Sequence, residues 1–312
     1  MSQQTPAQAR VIDPILSQHA RGYKSPQTVG AYLFPRVYVK VRGGKIIKFG
    51  KEAFKLYQTA RAPGTATKRI QFGYSGDNYG LGGNSLEAVV PIENQQEAIT
   101  VPGIDLASSA VNITLRSMAL AHEYECATLS QNAANYDSNH KVALTGSARW
   151  NDGASTPAKN VLSWRDAVRA TTGVEPNVMV IGPKVFNALA DHPAIQDRFK
   201  YTGRDSITTK MLAALFEVDN VWVGKAIMHD EATGDFTDIW GKNVVMAYVP
   251  VSESPTKEEP SYGYTYTLEG HPSVAAPYYE NNIKSWCYPV DDDRQVVLTG
   301  ITSGFLAQTV VD

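Results

Sequence analysis

The sequence predicts an α+β protein of one or two domains with a protruding basic ribbon. The chain has 312 residues, of which 43% are hydrophobic and 19% charged, which is sufficient for a packed core. One long region, Leu106 to Asn135, lacks both glycine and proline, and short strand patterns recur through the second half. A central long helix accompanied by several short strands is therefore expected.

The first 36 residues predict an extended N-terminal arm. They are polar at first, carry turn signals at Asp13-Pro14 and Ser25-Pro26, and show neither a helical nor an alternating pattern. A terminus of this kind is poorly ordered unless something holds it. A neighbouring copy of the chain is the simplest candidate for that role.

The next segment predicts a long ribbon of strands. Val37 to Val41 alternates as a strand does, Gly43-Gly44 has the composition of a turn, and Lys45 to Phe49 continues as a second short strand. Glu52 to Ala60 has a helical pattern, and Lys68 to Tyr74 alternates again as a returning strand. A two-stranded ribbon is marginal alone in water, so this charged one needs another surface to lie on.

The glycine-free region predicts one long helix over Leu106 to Asn135. Its apolar side chains recur at helical spacing, and Pro102-Gly103 precedes it. Asp105 is placed to cap its first turn.

The second half predicts alternating helices and strands. Val161, Trp164 and Val168 mark a helical face, and Gly182-Pro183 opens a helix that continues to Leu189. Ile207 to Phe216 predicts a further helix. The predicted strands are Val178 to Ile181, Val221 to Val223, Val244 to Val249, Tyr262 to Leu268, Tyr278 to Cys287, Gln295 to Leu298 and Phe305 to Val311.

Charge is distributed unevenly along the chain. The net charge is -2, which is unlike a sequence-independent nucleic-acid clamp. Residues 36–72 nevertheless carry ten basic residues and one acidic residue, a net charge of +9, whereas residues 253–293 carry -6. Complementary surfaces on one chain favour self-assembly, with apolar contacts supplying affinity and charges setting orientation. The alternative is a ribbon that is merely solvated.

Candidate chemical motifs are weak. His122-Glu123-Tyr124-Glu125-Cys126 approaches the H-E-x-x-H zinc signature, but its last position is cysteine and no third ligand is recognisable. The glycines at 43–44 and 80–83 fit neither phosphate-loop pattern, and both are interpreted as hairpin turns. Asp291-Asp292-Asp293 could bind a cation, but a solvated acidic tip is the expected state. No catalytic, cofactor-binding or metal-binding residue is predicted, and no cofactor.

The sequence shows neither a membrane-spanning helix nor a signal peptide, so we expect a protein that works without a membrane. No hydrophobic run reaches the ~20 residues of a membrane helix, and Met1 to Arg10 lacks the apolar core of a signal peptide. Production in a cytoplasm is expected. The two cysteines, Cys126 and Cys287, are too few for a disulfide framework or a structural zinc site alone.

The order of these parts resembles the major capsid proteins of tailed bacteriophages. This family has the Hong Kong ninety-seven fold, which also builds encapsulin shells. The segments that carry the resemblance are Phe34 to Val39, Gly44 to Glu52, Arg61 to Gly64, Glu123 to Leu129, Val180 to Asn187, Asp191 to Ile195, Leu215 to Val218 and Val221 to Gly224. They look like the extended loop, the spine helix and the axial domain of that family, in the family's order.

The resemblance implies a division of the chain and a function. It implies an N-terminal arm at 1–36, an extended β-hairpin loop at 37–91, and a peripheral domain with the spine helix at 92–150, completed by 285–312. Residues 151–284 would form the axial domain. The chain would then be a structural protein, not an enzyme, that self-assembles into an icosahedral virion head enclosing double-stranded DNA.

The predicted inter-subunit interface lies in the extended loop. Its residues are Arg36, Arg42, Lys45, Lys48, Lys51, Lys55, Arg61, Lys68 and Arg69. The expected partners are many copies of the same chain together with portal, scaffolding and decoration proteins, without sequence-specific DNA binding and without a membrane. Scaffolding is expected to be a separate protein, because the segment ahead of the loop is short.

Some points stay open within the resemblance. Assembly would take place in the host cytoplasm. Some relatives crosslink a loop lysine to an asparagine, but Lys45, Lys48, Asn281 and Asn282 are only nominal candidates and no crosslink is predicted. Two alternatives remain, an encapsulin-like compartment that holds protein cargo and an uncharacterised α+β enzyme.

Overall fold

The structure is a computed structural model that describes residues 16–17, 20, 28–46, 60, 78–99, 105–199, 207–230, 234–250 and 261–312. Within these ranges the helices are α1 (Gly30–Leu33), α2 (Ile92–Ile99), α3 (Leu106–Gln131), α4 (Pro157–Thr172), α5 (Pro183–Asp191), α6 (Pro193–Phe199) and α7 (Thr209–Phe216). The strands are β1 (Arg36–Val39), β2 (Gly43–Lys45), β3 (Asn78–Gly80), β4 (Ser85–Pro91), β5 (Lys141–Ala143), β6 (Val178–Ile181), β7 (Asn220–Val223), β8 (Ile227–His229), β9 (Phe236–Asp238), β10 (Val244–Ala247), β11 (Gly263–Leu268), β12 (Ser273–Val274), β13 (Tyr278–Glu280), β14 (Ser285–Asp291), β15 (Arg294–Leu298) and β16 (Gly304–Gln308).

A five-stranded mixed sheet in the order β5-β16-β10-β6-β7 forms the centre of the second half. Its inner strands β6 and β10 are buried on both faces, and both are continuous apolar runs. Met179 and Ile181 of β6 face one core with helices α4 to α7, while Val178 and Val180 face a second core on the opposite side. The period of two along each strand thus separates two apolar layers.

A three-stranded sheet in the order β1-β11-β15 anchors the predicted ribbon. β1 pairs parallel to β11, so Val37 lies opposite Tyr266 and Val39 opposite Leu268. Beyond β1, the strands β2 and β3 pair antiparallel, with Lys45 opposite Asn78. The chain therefore enters and leaves residues 47–77 at two paired strands. The predicted returning strand Lys68 to Tyr74, like the rest of 47–59 and 61–77, lies outside the described residues.

The long helix α3 packs under a third sheet. Strand β14 lies between β4 on one side and β12 and β13 on the other. Val90 of β4 and Val290 of β14 pack with Val111 of the helix in a common core. This arrangement buries one side of the helix and leaves the other exposed.

Helix α3 begins where the sequence predicted. The carboxylate of Asp105 accepts hydrogen bonds from the backbone N–H of Ala107 and Ser108 at 3.0 and 3.2 Å, a cap that contributes about 1 kcal/mol. The helix ends at Gln131, four residues before the predicted end. Within the described residues, no helix is both long and apolar enough to cross a membrane.

The described part of the N-terminal arm lies on its own chain, which corrects the expectation that a neighbour holds it. Leu33 and Phe34 are fully buried, and α1 contacts α3. Ser17 also exchanges hydrogen bonds with the backbone of Val274. Burying a side chain such as Leu33 contributes about 2 kcal/mol, so residues 28–36 belong to the body of the subunit.

Three further local predictions are wrong in detail. Gly43-Gly44 is part of strand β2 instead of a turn, because Gly43 pairs with Gly80 and Gly44 with Tyr79. The predicted strand Tyr278 to Cys287 is a hairpin of β13 and the start of β14. The glycines at 80–83 end β3 and form an isolated bridge to Arg294.

The division into four parts stays a proposal with one adjustment. Strands β5 and β16 fall within the ranges predicted for the peripheral domain, 92–150 and 285–312. β16 pairs with β10 of the predicted axial domain, and β5 pairs with β16 at the edge of the same five-stranded sheet. The chain's C-terminal strand therefore completes the sheet of residues 151–284.

Candidate intersubunit interface

The base of the extended loop is fixed to its own subunit by an apolar cluster. Val37, Val39 and Ile46 are buried with the rings of Tyr79 and Tyr266, which stack at a centroid distance of 4.8 Å. Stacked aromatic pairs contribute about 1 kcal/mol beyond burial. Whatever the distal part of the loop contacts, its two ends leave the body at a defined position.

An arginine–aspartate network closes the same base. The carboxylate of Asp292 accepts two hydrogen bonds from the Arg36 guanidinium at 3.1 and 3.2 Å and a third from Arg294 at 2.8 Å. Arg42 forms an ion pair with Asp293 at 2.5 Å, without the alignment of a hydrogen bond. Two-point arginine–carboxylate contacts fix geometry as well as charge.

The network sets the charge state of its members. Burial alone would raise the pKa of Asp292, but Arg36 and Arg294 hold the pKa of this carboxyl below its usual value. Asp292 is therefore charged at neutral pH although its side chain is only 3% exposed. Asp292 and Asp293 of the acidic run are thus buried ion-pair partners, which corrects the expectation of a solvated tip.

These contacts change the set of residues available to a neighbour. Arg36 and Arg42 were predicted to contact another copy, yet both pair with carboxylates of their own chain. Lys45 is exposed at the last position of β2. The other predicted interface residues lie outside the described residues and stay predictions, namely Lys48, Lys51, Lys55, Arg61, Lys68 and Arg69.

The weak zinc-like motif on α3 has a structural role, in which Glu123 hydrogen-bonds to two other parts of the chain. Glu123 accepts hydrogen bonds from the backbone N–H of Val29 at 2.8 Å and of Gly30 at 2.7 Å, and from the indole N–H of Trp240 at 2.6 Å. Burial raises the pKa of this carboxyl, and the three hydrogen bonds oppose that rise. Glu123 joins the arm segment, the long helix and the underside of the five-stranded sheet.

His122 and Cys126 face the protein interior. The His122 Nε2 lies 2.9 Å from the hydroxyl oxygen of Thr265, whose own hydroxyl donates to the carbonyl of Phe34 at 3.0 Å. Burial, followed by the charges of Arg294 and Arg36, lowers the pKa of His122 to about 3. No group of three or more His, Cys, Asp and Glu side chains suited to a metal ion occurs in the described part of the chain.

An acidic surface lies on the third sheet and the adjoining helix. Glu87 is exposed on β4, and Glu93 and Glu97 are exposed four residues apart on α2. Glu280 lies on β13, and the Tyr278 hydroxyl donates to Glu87 at 2.9 Å. Exposed apolar side chains accompany these carboxylates, among them Val89 at 45% and Ile283 at 49%.

Several of these features could not be read from the sequence. Arg36 and Asp292 are 256 residues apart, and Glu123 is 93 residues from Gly30. The run of three aspartates was visible, but its burial was not. The only available signal was a carboxylate triplet flanked by Arg294, which also fits an exposed turn.

Sequence comparisons identify capsid proteins as relatives. The family model described as phage major capsid protein E matches residues 135–280. The major capsid protein of Burkholderia phage BcepMu is 36% identical over 269 residues, covering 85% of this chain and 86% of the relative. The major capsid protein of Pseudomonas phage JBD67 is 24% identical over 243 residues, covering 76% and 77%.

Structure comparisons agree with the sequence relatives. A phage-related protein from Bordetella bronchiseptica RB50 is 50% identical, covers 97% of this chain and 98% of its own, and has a TM-score of 0.85. The putative capsid protein of an Escherichia coli CFT073 prophage has a TM-score of 0.56 at 11% identity over 94% of this chain and 96% of its own. A virus-like particle from Pyrococcus furiosus has a TM-score of 0.52 at 9% identity, covering 94% and 96%, and shows a shared fold alone.

Proposed function

Since this chain belongs to the phage major capsid protein family and forms the shell of a phage capsid, we propose that its copies are joined by the extended loop. The distal part of the loop, residues 47–77 of one copy, lies over the acidic third sheet of the next. Contact between copies, and not catalysis, is the chain's activity. The predicted fold class and family are confirmed by the relatives.

The observation that carries this proposal is the separation of charge at the loop base. Arg36 and Arg42 are neutralised by Asp292 and Asp293 within the subunit, whereas Lys45 is exposed where the loop leaves the body. Residues 47–72 add six more lysines and arginines against Glu52 alone. These charges need a partner surface if the loop is to be held in one place.

The acidic third sheet is suited to receive such a loop. Glu93 and Glu97 lie beyond the far end of β4, whose seven residues span roughly 23 Å from the loop base. Exposed apolar side chains between the carboxylates supply affinity, while the charges set orientation and register. A contact between different surfaces of adjacent copies closes rings, from which a shell is built.

Replacing the distal loop tests the proposal. Residues 47–77 are exchanged for two glycines, which keeps the β2–β3 pair and the apolar cluster beneath it. We expect a folded subunit, judged by circular dichroism, that forms no closed shells in electron microscopy. A matched control reverses the charge of Lys184, which is exposed on α5 far along the chain, and should assemble normally. Normal shells from the loop replacement would contradict the proposal.

We further propose that the shell encloses double-stranded DNA without binding its phosphates tightly. The net charge of -2 supports this, because a strongly basic wall would bind phosphates at every contact with a steep salt dependence. Portal, scaffolding and decoration proteins are the proposed additional partners in the virion, and assembly in the host cytoplasm is the proposed location. Purified particles containing protein cargo and no DNA would favour the encapsulin-like alternative.

A further inference from the structure

The hairpin of β8 and β9 displays a face whose apolar side chains the described residues leave largely exposed. Ile227 lies opposite Asp238 and His229 opposite Phe236, so these four side chains share one face. Phe236 is 69% exposed and Ile227 47% exposed. Met228, on the reverse face, packs against the core beneath the five-stranded sheet.

The hairpin is also acidic. Residues 227–238 contain Asp230, Glu231, Asp235 and Asp238 and no lysine or arginine. A two-stranded hairpin is marginally stable alone, and large exposed aromatic side chains are typical of contact surfaces. A partner for this face should therefore present an apolar side chain flanked by basic ones.

Helix α4 presents such a surface on the opposite side of the same sheet. Leu162 is 52% exposed, and Lys159 and Arg169 are exposed on the same helical face at spacings of three and seven residues. Asp166 also lies on this face, and Arg169 is 3.7 Å from Glu175. Val161 and Trp164, on the inner face of the helix, pack in the core above the sheet.

The exposed faces of the β8–β9 hairpin and of helix α4 are suited to contact each other in adjacent copies. Among the described residues of the five-stranded sheet unit, the large exposed apolar side chains are Leu162, Ile227 and Phe236. The hairpin carries Asp238 on its exposed face, and the face of α4 carries Lys159 and Arg169 together with Asp166. The two surfaces lie on opposite faces of one sheet. Surfaces placed in this way cannot meet within a chain but can meet head to tail between copies, and repetition of such a contact closes a ring.

We propose that the β8–β9 hairpin of one copy docks on helix α4 of the next, with Phe236 and Ile227 covering Leu162. The proposal rests on the shell-forming function and adds a second contact between the same kinds of neighbours, independent of the extended loop. Asp238 approaches Lys159, and this charge pair orients the contact while the apolar side chains supply affinity.

Crosslinking of paired cysteine variants in assembled particles tests the contact. The native Cys126 and Cys287 are both buried, so introduced cysteines react selectively with a short bis-maleimide. The chain carrying both Phe236→Cys and Leu162→Cys should give a ladder of covalent oligomers beyond the dimer. A mixture of the two single variants should give dimers, and each single variant alone should give none.

A negative control and a second cysteine pair make the crosslinking result specific. Phe236→Cys combined with Ile113→Cys, which is 66% exposed on α3, should give no ladder. The pair Asp238→Cys and Lys159→Cys replaces only exposed or half-exposed polar side chains and should repeat the ladder if the first pair assembles poorly.

The outcomes separate this inference from the loop proposal. Particles that form without crosslinks from either pair would overturn the inference and leave the loop proposal standing. Dimers from Phe236→Cys alone would also overturn it, because hairpins would then meet hairpins. A ladder obtained with the loop-replaced chain would support the hairpin contact even where the loop proposal fails.

Discussion

Acidification should destabilise the unassembled subunit through His122. Its pKa is about 3 in the folded chain and about 6.5 when unfolded, because burial and the nearby Arg294 and Arg36 oppose its protonation. The unfolded state therefore binds more protons below pH 6.5, and stability is lost as the pH falls.

The expected size of the effect follows from this pKa difference. Between pH 7.5 and pH 5 the unfolded histidine becomes almost fully protonated while the folded one stays neutral, which costs about 2 kcal/mol. A folded pKa anywhere near 3 gives the same figure at pH 5, since His122 is still uncharged in the fold. The full cost, about 5 kcal/mol, is reached only below pH 3.

Urea unfolding of dilute, unassembled subunits measures this contribution. His122→Gln keeps an N–H donor for Thr265 and does not titrate, so the variant should lose about 2 kcal/mol less than the wild type between pH 7.5 and pH 5. All other titrating groups are common to both chains. Equal losses in the two proteins would refute the assignment of the acid sensitivity to His122.

Two substitutions test the loop base and the arm. Asp292→Asn removes the carboxylate that lies 2.8 Å from the buried Arg294 and leaves this guanidinium only the partly exposed Glu125 carboxylate at 3.4 Å, so it should cost about 3 kcal/mol in urea unfolding. Asp291→Asn, at the last residue of β14 and outside the network, should change stability by less than about 0.5 kcal/mol. An equal effect of the two would show that the network contributes nothing. Gly30→Ala would place a Cβ 2.8 Å from the Cys126 Cβ and 2.9 Å from the Glu123 carboxylate, so we expect a loss of about 2 kcal/mol. Gly80→Ala meets no atom within 4 Å and is the matched control, and equal thermal midpoints for the two variants would contradict the packing described for α1.

Helices and strands were predictable where residues within the element or next to it determine where it begins. The start of α3 follows from Asp105 as a cap and from the apolar spacing after it, and α5 begins at Pro183 for the reason the sequence suggested. The strand over Val178–Ile181 follows from an uninterrupted β-branched and apolar run. In each case the signal lies within a few residues of the element.

Long-range pairing could not be predicted in the same way. The parallel pairing of β1 with β11 joins residues 229 positions apart, and no pattern in the sequence of either strand identifies its partner. The same holds for the C-terminal strand β16, which enters the sheet of residues 151–284. Gly43-Gly44 was misread as a turn because a glycine pair has the same composition in a turn and in a strand that closes a ribbon.

The predicted interface stays a prediction, and the structure revises the role of two of its residues. A cluster of lysines and arginines is visible in the sequence, but which of them are neutralised internally depends on where distant aspartates fold. Arg36 and Arg42 show this dependence. A charge pattern in the sequence can therefore indicate that a chain self-assembles, but it does not identify which side chains contact the neighbouring copy.

A cryo-electron microscopy map of wild-type particles tests directly whether the extended loop joins adjacent copies, because it traces where residues 47–77 run after leaving β2. We expect density that crosses to an adjacent copy and rests on its third sheet near Glu93. Density that folds back onto the subunit it came from, with adjacent copies joined elsewhere, would show that the extended loop does not join the copies.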